Sequence, residues 1–169
     1  TIERAIEHSD ITLLLIPDES HKHIFEKYVS TKGKPDQLFI IAHGYSVKYN
    51  KFKLPPGIDI CMLAPRAPGE PIRTNYLNEK GIPAFVDVIQ DSSGNALNKV
   101  LAIGKGIGYS YSGMISISYE EETELDLFIE HFIGPLFIGA VESSLKFLVD
   151  KGYSPIASAL ELWMSGERG

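Results

Sequence analysis

The sequence predicts an α/β fold: a parallel, Rossmann-like sheet, incomplete, followed by a helical segment. Three observations carry this. Four short apolar runs in the first half each end at a turn, helix-like stretches lie between them, and the pattern becomes almost wholly helical past residue 118. Continuous apolar runs alternating with helical crossovers are the mark of a parallel sheet covered on both faces.

Ile11–Ile16 (ITLLLI) reads as a buried strand ending at Pro17-Asp18, and Glu19–Val29 follows with Ile24, Phe25, Tyr28 and Val29 on one helical face. Leu38–Ala42 (LFIIA) is a second strand, ending at His43-Gly44, and Ile58–Ala64 (IDICMLA) a third, ending at Pro65-Arg66. Ala84–Gln90 (AFVDVIQ) is a fourth, and a helix begins at Ala96. Gly104, Gly106, Gly108 and Gly113 follow that helical pattern, so they fit a helix stop and turn better than a phosphate cradle, which needs G-x-G-x-x-G between strand and helix. Beyond Met114–Ser118 the pattern is helical through Asp126–His131 and Val141–Asp150. Gly134-Pro135 is a possible break, Gly152 a stop and Pro155–Met164 a last helix. The expected division is 1–118, a partial α/β domain, and 119–169, a helical segment for metal binding and dimerisation.

Composition narrows the function classes. A formal charge of −6 argues against nucleic acid as the principal partner. The single cysteine, Cys61, lies in an apolar run and suits a reduced, cytoplasmic protein. No charge-free apolar stretch approaches about 18 residues, so no membrane span is expected.

Ligands of parallel α/β sheets bind at the carboxyl ends of the strands. Here three such ends carry polar residues: Asp18-Glu19-Ser20-His21, His43-Gly44-Tyr45-Ser46 and Arg66-Ala67-Pro68-Gly69. Any one of them alone is also ordinary turn chemistry, and His43 alone suits a structural or exposed histidine. Three along one edge favour a cleft. Downstream, Glu122, Asp126 and Glu130 recur every four residues, within roughly 80° of one helix face. The residues among them, Leu125, Leu127, Phe128 and Ile129, are apolar. A carboxylate entering such a helix must find a cation, a hydrogen-bond donor or a metal, unless the acids form a solvated stripe.

Taken in order, LLLIPDESH (13–21), IIAHGYSV (40–47), MLAPRAPGEPIR (62–73), GIPAFVDVIQDSSGNA (81–96), GIGYSYSG (106–113), EEETELDLFIEH (120–131) and LVDKGYSPIA (148–157) resemble the ketol-acid reductoisomerase (acetohydroxy-acid isomeroreductase) family. The last two are the most specific. The resemblance covers the middle of such an enzyme. The family's first βαβ unit with its glycine-rich loop would lie upstream of Thr1, and most of its helical domain beyond Gly169.

The resemblance implies Mg²⁺-dependent alkyl migration in a 2-acetohydroxy acid and reduction by NADP(H), in valine and isoleucine biosynthesis. By it, Asp126, Glu130 and Glu161 are metal ligands, and His43, Arg66 and Glu122 are catalytic positions. Asp18, Glu19, Ser20, His21 and Gly69 line the nicotinamide cofactor. Two departures stand out. The family has a lysine at Arg66, and the second of two glutamates on a later helix is Ser165 here, Glu161 being the first. Two readings follow: a reductoisomerase, or a related dimeric binding or structural protein without catalysis. Phe132, Ile133, Leu136, Phe137, Ile138, Leu145, Phe147 and Leu148 exceed what one small domain edge can cover. A homodimer through residues 120–165 is therefore expected, with Glu161 of one chain facing Asp126 of the other.

Overall fold

The computed structural model describes residues 1–49 and 53–163. Met164, Ser165 and the Gly166–Gly169 ending lie outside the described residues. Two compact units are present, Thr1–Glu124 and Leu125–Gly169.

The first unit is a five-stranded sheet in the order β1-β2-β3-β4-β5: Ile11–Leu14, Leu38–Ile41, Asp59–Pro65, Ala84–Gln90 and Met114–Ser116. The helices are α1 (Ile2–His8), α2 (Asp18–Ile24), α3 (Ser30–Lys32), α4 (Tyr45–Tyr49), α5 (Gly69–Leu77), α6 (Ala96–Gly106) and α7 (Tyr119–Phe128), which begins in this unit. A π-helical turn, Phe25–Val29, joins α2 to α3. β1, β2 and β3 are parallel, and so are β4 and β5, but β4 runs antiparallel to β3 with Pro65 opposite Ala84. The α/β, Rossmann-like architecture expected above is present, with this one reversal. α5, whose Ile72 packs against the core, brings the chain back to the end of the sheet where β3 stops, so β4 starts beside Pro65 and runs the opposite way.

Strands β2 and β3 are buried on both faces, which explains their unbroken apolar sequence. Phe39, Ile41, Ile60 and Met62 pack with Ile6, Ile24, Phe25 and Val29 on one face. Leu38, Ile40, Cys61 and Leu63 pack with Val86, Ala96 and Val100 on the other. Burial pushes the Cys61 thiol up to about 12, so it is an inert core group. The expectation of a fully buried first strand needs correction. β1 sits at the sheet edge, paired with β2 alone among the described strands, and there only Leu14 is buried while Leu13 and Leu15 are exposed.

Asp59 opens β3 with no solvent exposure. Its carboxylate accepts from the Ser92 and Ser93 amides at 2.9 and 3.0 Å, from Ser93 Oγ at 2.6 Å and from Lys99 Nζ at 2.7 Å. Burial pushes this carboxyl up, but the Lys99 and serine bonds prevail and hold it below its ordinary value.

In the second unit a π-helical turn, Ile129–Ile133, leads into α8 (Gly134–Asp150), and α9 (Pro155–Trp163) packs back on α8. Pro135 does not end the helix. The widened turn just before it takes up the strain that its missing N–H and ring impose on the preceding turn. Gly152, at φ +90, makes the stop between α8 and α9. Among the described residues of this unit only Val141 and Ser158 are buried, while Phe128, Phe132, Leu136, Phe137 and Phe147 are more than half exposed. The helical stretch Tyr119–Asp150, 32 residues, is long and apolar enough to cross a membrane by length and composition. A search for charge-free runs misses it because Glu130 and Glu142 interrupt the sequence.

Replacing Lys99 by Met strips the buried Asp59 of its cation and is expected to cost about 3 kcal/mol in urea unfolding at neutral pH. Because the folded carboxyl titrates below its unfolded value of 3.8, its contribution is present above that value and is lost as the pH falls through the folded pKa. The variant's stability should therefore vary less than the parent's across that acidic window.

Candidate functional site

The parallel sense of β1–β3 puts their carboxyl ends on one edge, where the loops starting at Asp18, His43 and Arg66 meet. The short β5 turns the chain into α7 close to the same edge. The Asp87 carboxylate there accepts from the Tyr119 amide at 2.8 Å, fixing the helix start. Gly44 enters against α7 so closely that a Cβ would overlap the Tyr119 carbonyl and the Thr123 hydroxyl, which itself donates to Tyr119 O at 2.7 Å.

That approach brings Glu122 to the loop. Its side chain is 1 % exposed, and its carboxylate accepts from the Gly44 amide at 3.1 Å, faces His43 Nδ1 at 2.9 Å and accepts from an Arg66 guanidinium nitrogen at 3.2 Å. The buried acid of the predicted stripe thus finds donors and a cation, one of the outcomes its apolar setting required. With both oxygens engaged, Glu122 positions His43 and Arg66. His43 also stacks on Tyr45, rings 6.2 Å apart and 15° from parallel. The Arg66 guanidinium lies 5.0 Å over the Phe85 ring. Their side chains stay 22 % and 31 % exposed, so both can reach a bound molecule.

Asp18 and Ser20 are half-buried and Glu19 exposed at the start of α2. Two carboxylates at this helix start would repel a phosphate and suit hydroxyl or amide donors, as a nicotinamide riboside presents. Gly69 begins α5, exposed, with open space where a side chain would stand, so a cofactor ring can approach its backbone. His21 differs from the others. It is 2 % exposed and bonded through Nδ1 to Ser46 Oγ at 2.7 Å, so it lies beneath the surface of this edge. Burial lowers its pKa, against the opposing pull of Asp18 and of the Ile16 and Leu14 carbonyls.

Asp126, half-buried, follows one turn after Glu122 on α7, and Glu130 lies in the π-helical turn beyond it. Glu161 is exposed on α9. All three are hard oxygen donors of the kind Mg²⁺ takes. Single-turn π-bulges are frequent where helices carry functional side chains.

Sequence reasoning placed Gly44 and Ser46 at a polar strand end without giving either a role, and it did not single out Phe85 or Thr123.

Gly44→Ala should part the loop from α7, costing roughly 1–3 kcal/mol in urea unfolding and exposing the Glu122 contacts to solvent. A histidine whose folded pKa is lowered contributes stability above its unfolded value of 6.5, and that contribution shrinks as the pH falls below it. Urea midpoints at pH 7 and pH 5 should consequently differ less in His21→Gln than in the parent.

Residues 1–113 match the family described as acetohydroxy acid isomeroreductase, NADPH-binding domain. A ketol-acid reductoisomerase (NADP(+)) of Pyrobaculum arsenaticum is 36 % identical over 163 residues, 95 % of this chain and 49 % of that protein. The corresponding Methanosphaera stadtmanae protein is 34 % identical over 157 residues, 92 % of this chain and 47 % of its own length. An NADH-preferring ketol-acid reductoisomerase from an uncultured archaeon superposes with TM-score 0.88 at 30 % identity, covering 96 % of this chain and 49 % of that one. A semialdehyde dehydrogenase NAD-binding protein from Cupriavidus necator, TM-score 0.78 at 14 % identity, shares the fold alone. The chain spans about half the length of the curated relatives it matches. With a family match over most of its length and the dinucleotide-domain fold around its strand ends, this chain belongs to the acetohydroxy acid isomeroreductase, or ketol-acid reductoisomerase, family.

Proposed function

We propose that this chain serves Mg²⁺-dependent alkyl migration in a 2-acetohydroxy acid followed by reduction by NADPH. The observation that supports it is the buried Glu122 holding His43 and Arg66 at the carboxyl edge of the sheet, one helical turn before Asp126. In this reading Asp126 and Glu130 would hold magnesium, with Glu161 of a second copy of the chain completing the set. Bound there, the ion would act as a Lewis acid on the substrate's carbonyl and hydroxyl oxygens.

The protein groups have separate tasks. His43, whose Nδ1 is tied to Glu122, offers Nε2 to accept the proton of the substrate hydroxyl as the alkyl group moves. Arg66, fixed by Glu122 and Phe85, keeps a permanent positive charge near the developing alkoxide. Asp18, Glu19, Ser20 and Gly69 hold the nicotinamide end of the cofactor against the substrate. A second copy of the chain covers the exposed apolar face, giving a homodimer through residues 120–165. The net negative charge leaves no role for nucleic acid, and the working compartment is the cytoplasm.

A binding role without turnover is the second reading, and Arg66 favours it. The family resemblance places a lysine there, and a planar guanidinium that does not titrate cannot exchange a proton as an ammonium can.

Purified protein with 2-acetolactate, NADPH and Mg²⁺ should oxidise NADPH, and Asp126→Asn should lower the rate by about 100-fold or more while weakening magnesium binding in calorimetry. No oxidation above background by the parent, together with turnover by Arg66→Lys, would establish the second reading. Light scattering at micromolar concentration should report a dimer. A monomer that floats with lipid vesicles would instead assign the apolar helix to a membrane.

A further inference from the structure

We propose that His21 is a positioning residue whose bond to Ser46 ties the loop after β1 to the loop after β2, and so sets where His43 stands. The proposal rests on the reading that His43 serves the reacting oxygens, and it gives that site a support not assigned above.

The imidazole is enclosed between the end of β1 and α4. Its Nδ1 meets Ser46 Oγ at 2.7 Å, and Ser46 itself has no solvent exposure. The ring faces the Leu14 and Ile16 carbonyls, and the Asp18 carboxylate lies 3.7 Å from Nδ1. Its other nitrogen, Nε2, is buried with no hydrogen-bond partner. A buried polar atom left unsatisfied costs stability, and a leucine would fill the same space without that cost. Beside its approach to the Asp18 carboxylate and the Leu14 and Ile16 carbonyls, what the imidazole supplies toward the second loop that an apolar side chain does not is the bond to Ser46.

That bond falls where it matters for His43. The segment 43–46 is held from two elements, by Glu122 on the His43 ring at 2.9 Å and the Gly44 amide at 3.1 Å, and by His21 on the Ser46 hydroxyl. His43 lies at the first tether and three residues from the second. The first tether alone would let the rest of the segment, and with it the His43 backbone, pivot. Two tethers from different elements, α7 and α2, fix both the position and the direction of the histidine side chain.

The test uses amide hydrogen exchange and imidazole ¹⁵N shifts on the whole chain, without substrate. Ser46→Ala removes one hydroxyl and His21→Leu the whole imidazole. Each should speed exchange at Gly44 about tenfold beyond any change at Met62 in β3, and each should shift the His43 ring nitrogens. The double variant should add nothing further, and His21→Gln, which keeps a polar group toward Ser46, should restore slow exchange at Gly44. Equal acceleration at Gly44 and Met62, or none at Gly44, would overturn the proposal and leave His21 an ordinary core residue. Should His21→Leu not fold, Ser46→Ala decides alone. Because no turnover is read, a chain inert toward 2-acetolactate would defeat the earlier reading without touching this one.

Discussion

A single buried carboxylate organises the candidate site. Taking Glu122 out of water is costly, and the cost is offset only while the Gly44 amide, the His43 ring and the Arg66 guanidinium all remain in place. The requirement runs both ways. The donors make the buried charge tolerable, and the charge fixes three groups that come from two different strand ends. Removing any one partner would leave the others facing an uncompensated ion, so the cluster holds or fails as a unit.

The sheet's topology makes this meeting possible. Three parallel strands place their loops on one edge, and the reversal at β4 sends the chain back along β3 so that β5 delivers α7 near that edge. Gly44 then permits the close approach to α7 that a side chain would block. Beneath this layer, Asp59 and Lys99 pin the far end of β3 to the start of α6, so the central strand is anchored at the end opposite the site. The helical unit obeys a different logic. Its described residues bury little among themselves and leave an apolar face exposed.

Much of this was legible in the residues. The buried strands β2 and β3 announced themselves by unbroken apolar runs, and the strand-end histidine and arginine by their place after those runs. The acidic helix was recognisable because dipole stabilisation explains acids in a first turn and not one or two turns later. Other features had no linear signal. The direction of β4 depends on the end of the sheet at which the chain re-enters after α5, which its residue pattern does not state. The exposure of β1 depends on its place at the sheet edge. His21 read as one of the strand-end residues lining the cofactor, and only the fold encloses it against Ser46.

What the sequence determined by itself was therefore the inventory and the periodicity: an α/β domain, helices after residue 118, acids every four residues, and the family whose motifs they repeat. These follow from local rules, because burial on two faces and helical repeat leave marks on consecutive residues. The tertiary structure alone decided which acid is buried and what answers it. Glu122, Asp126 and Glu130 are equivalent along the chain, and only the approach of Gly44, a residue 78 positions away, turns the first into the holder of His43 and Arg66. Pairings at that separation are set by packing, and packing is a property of the whole domain.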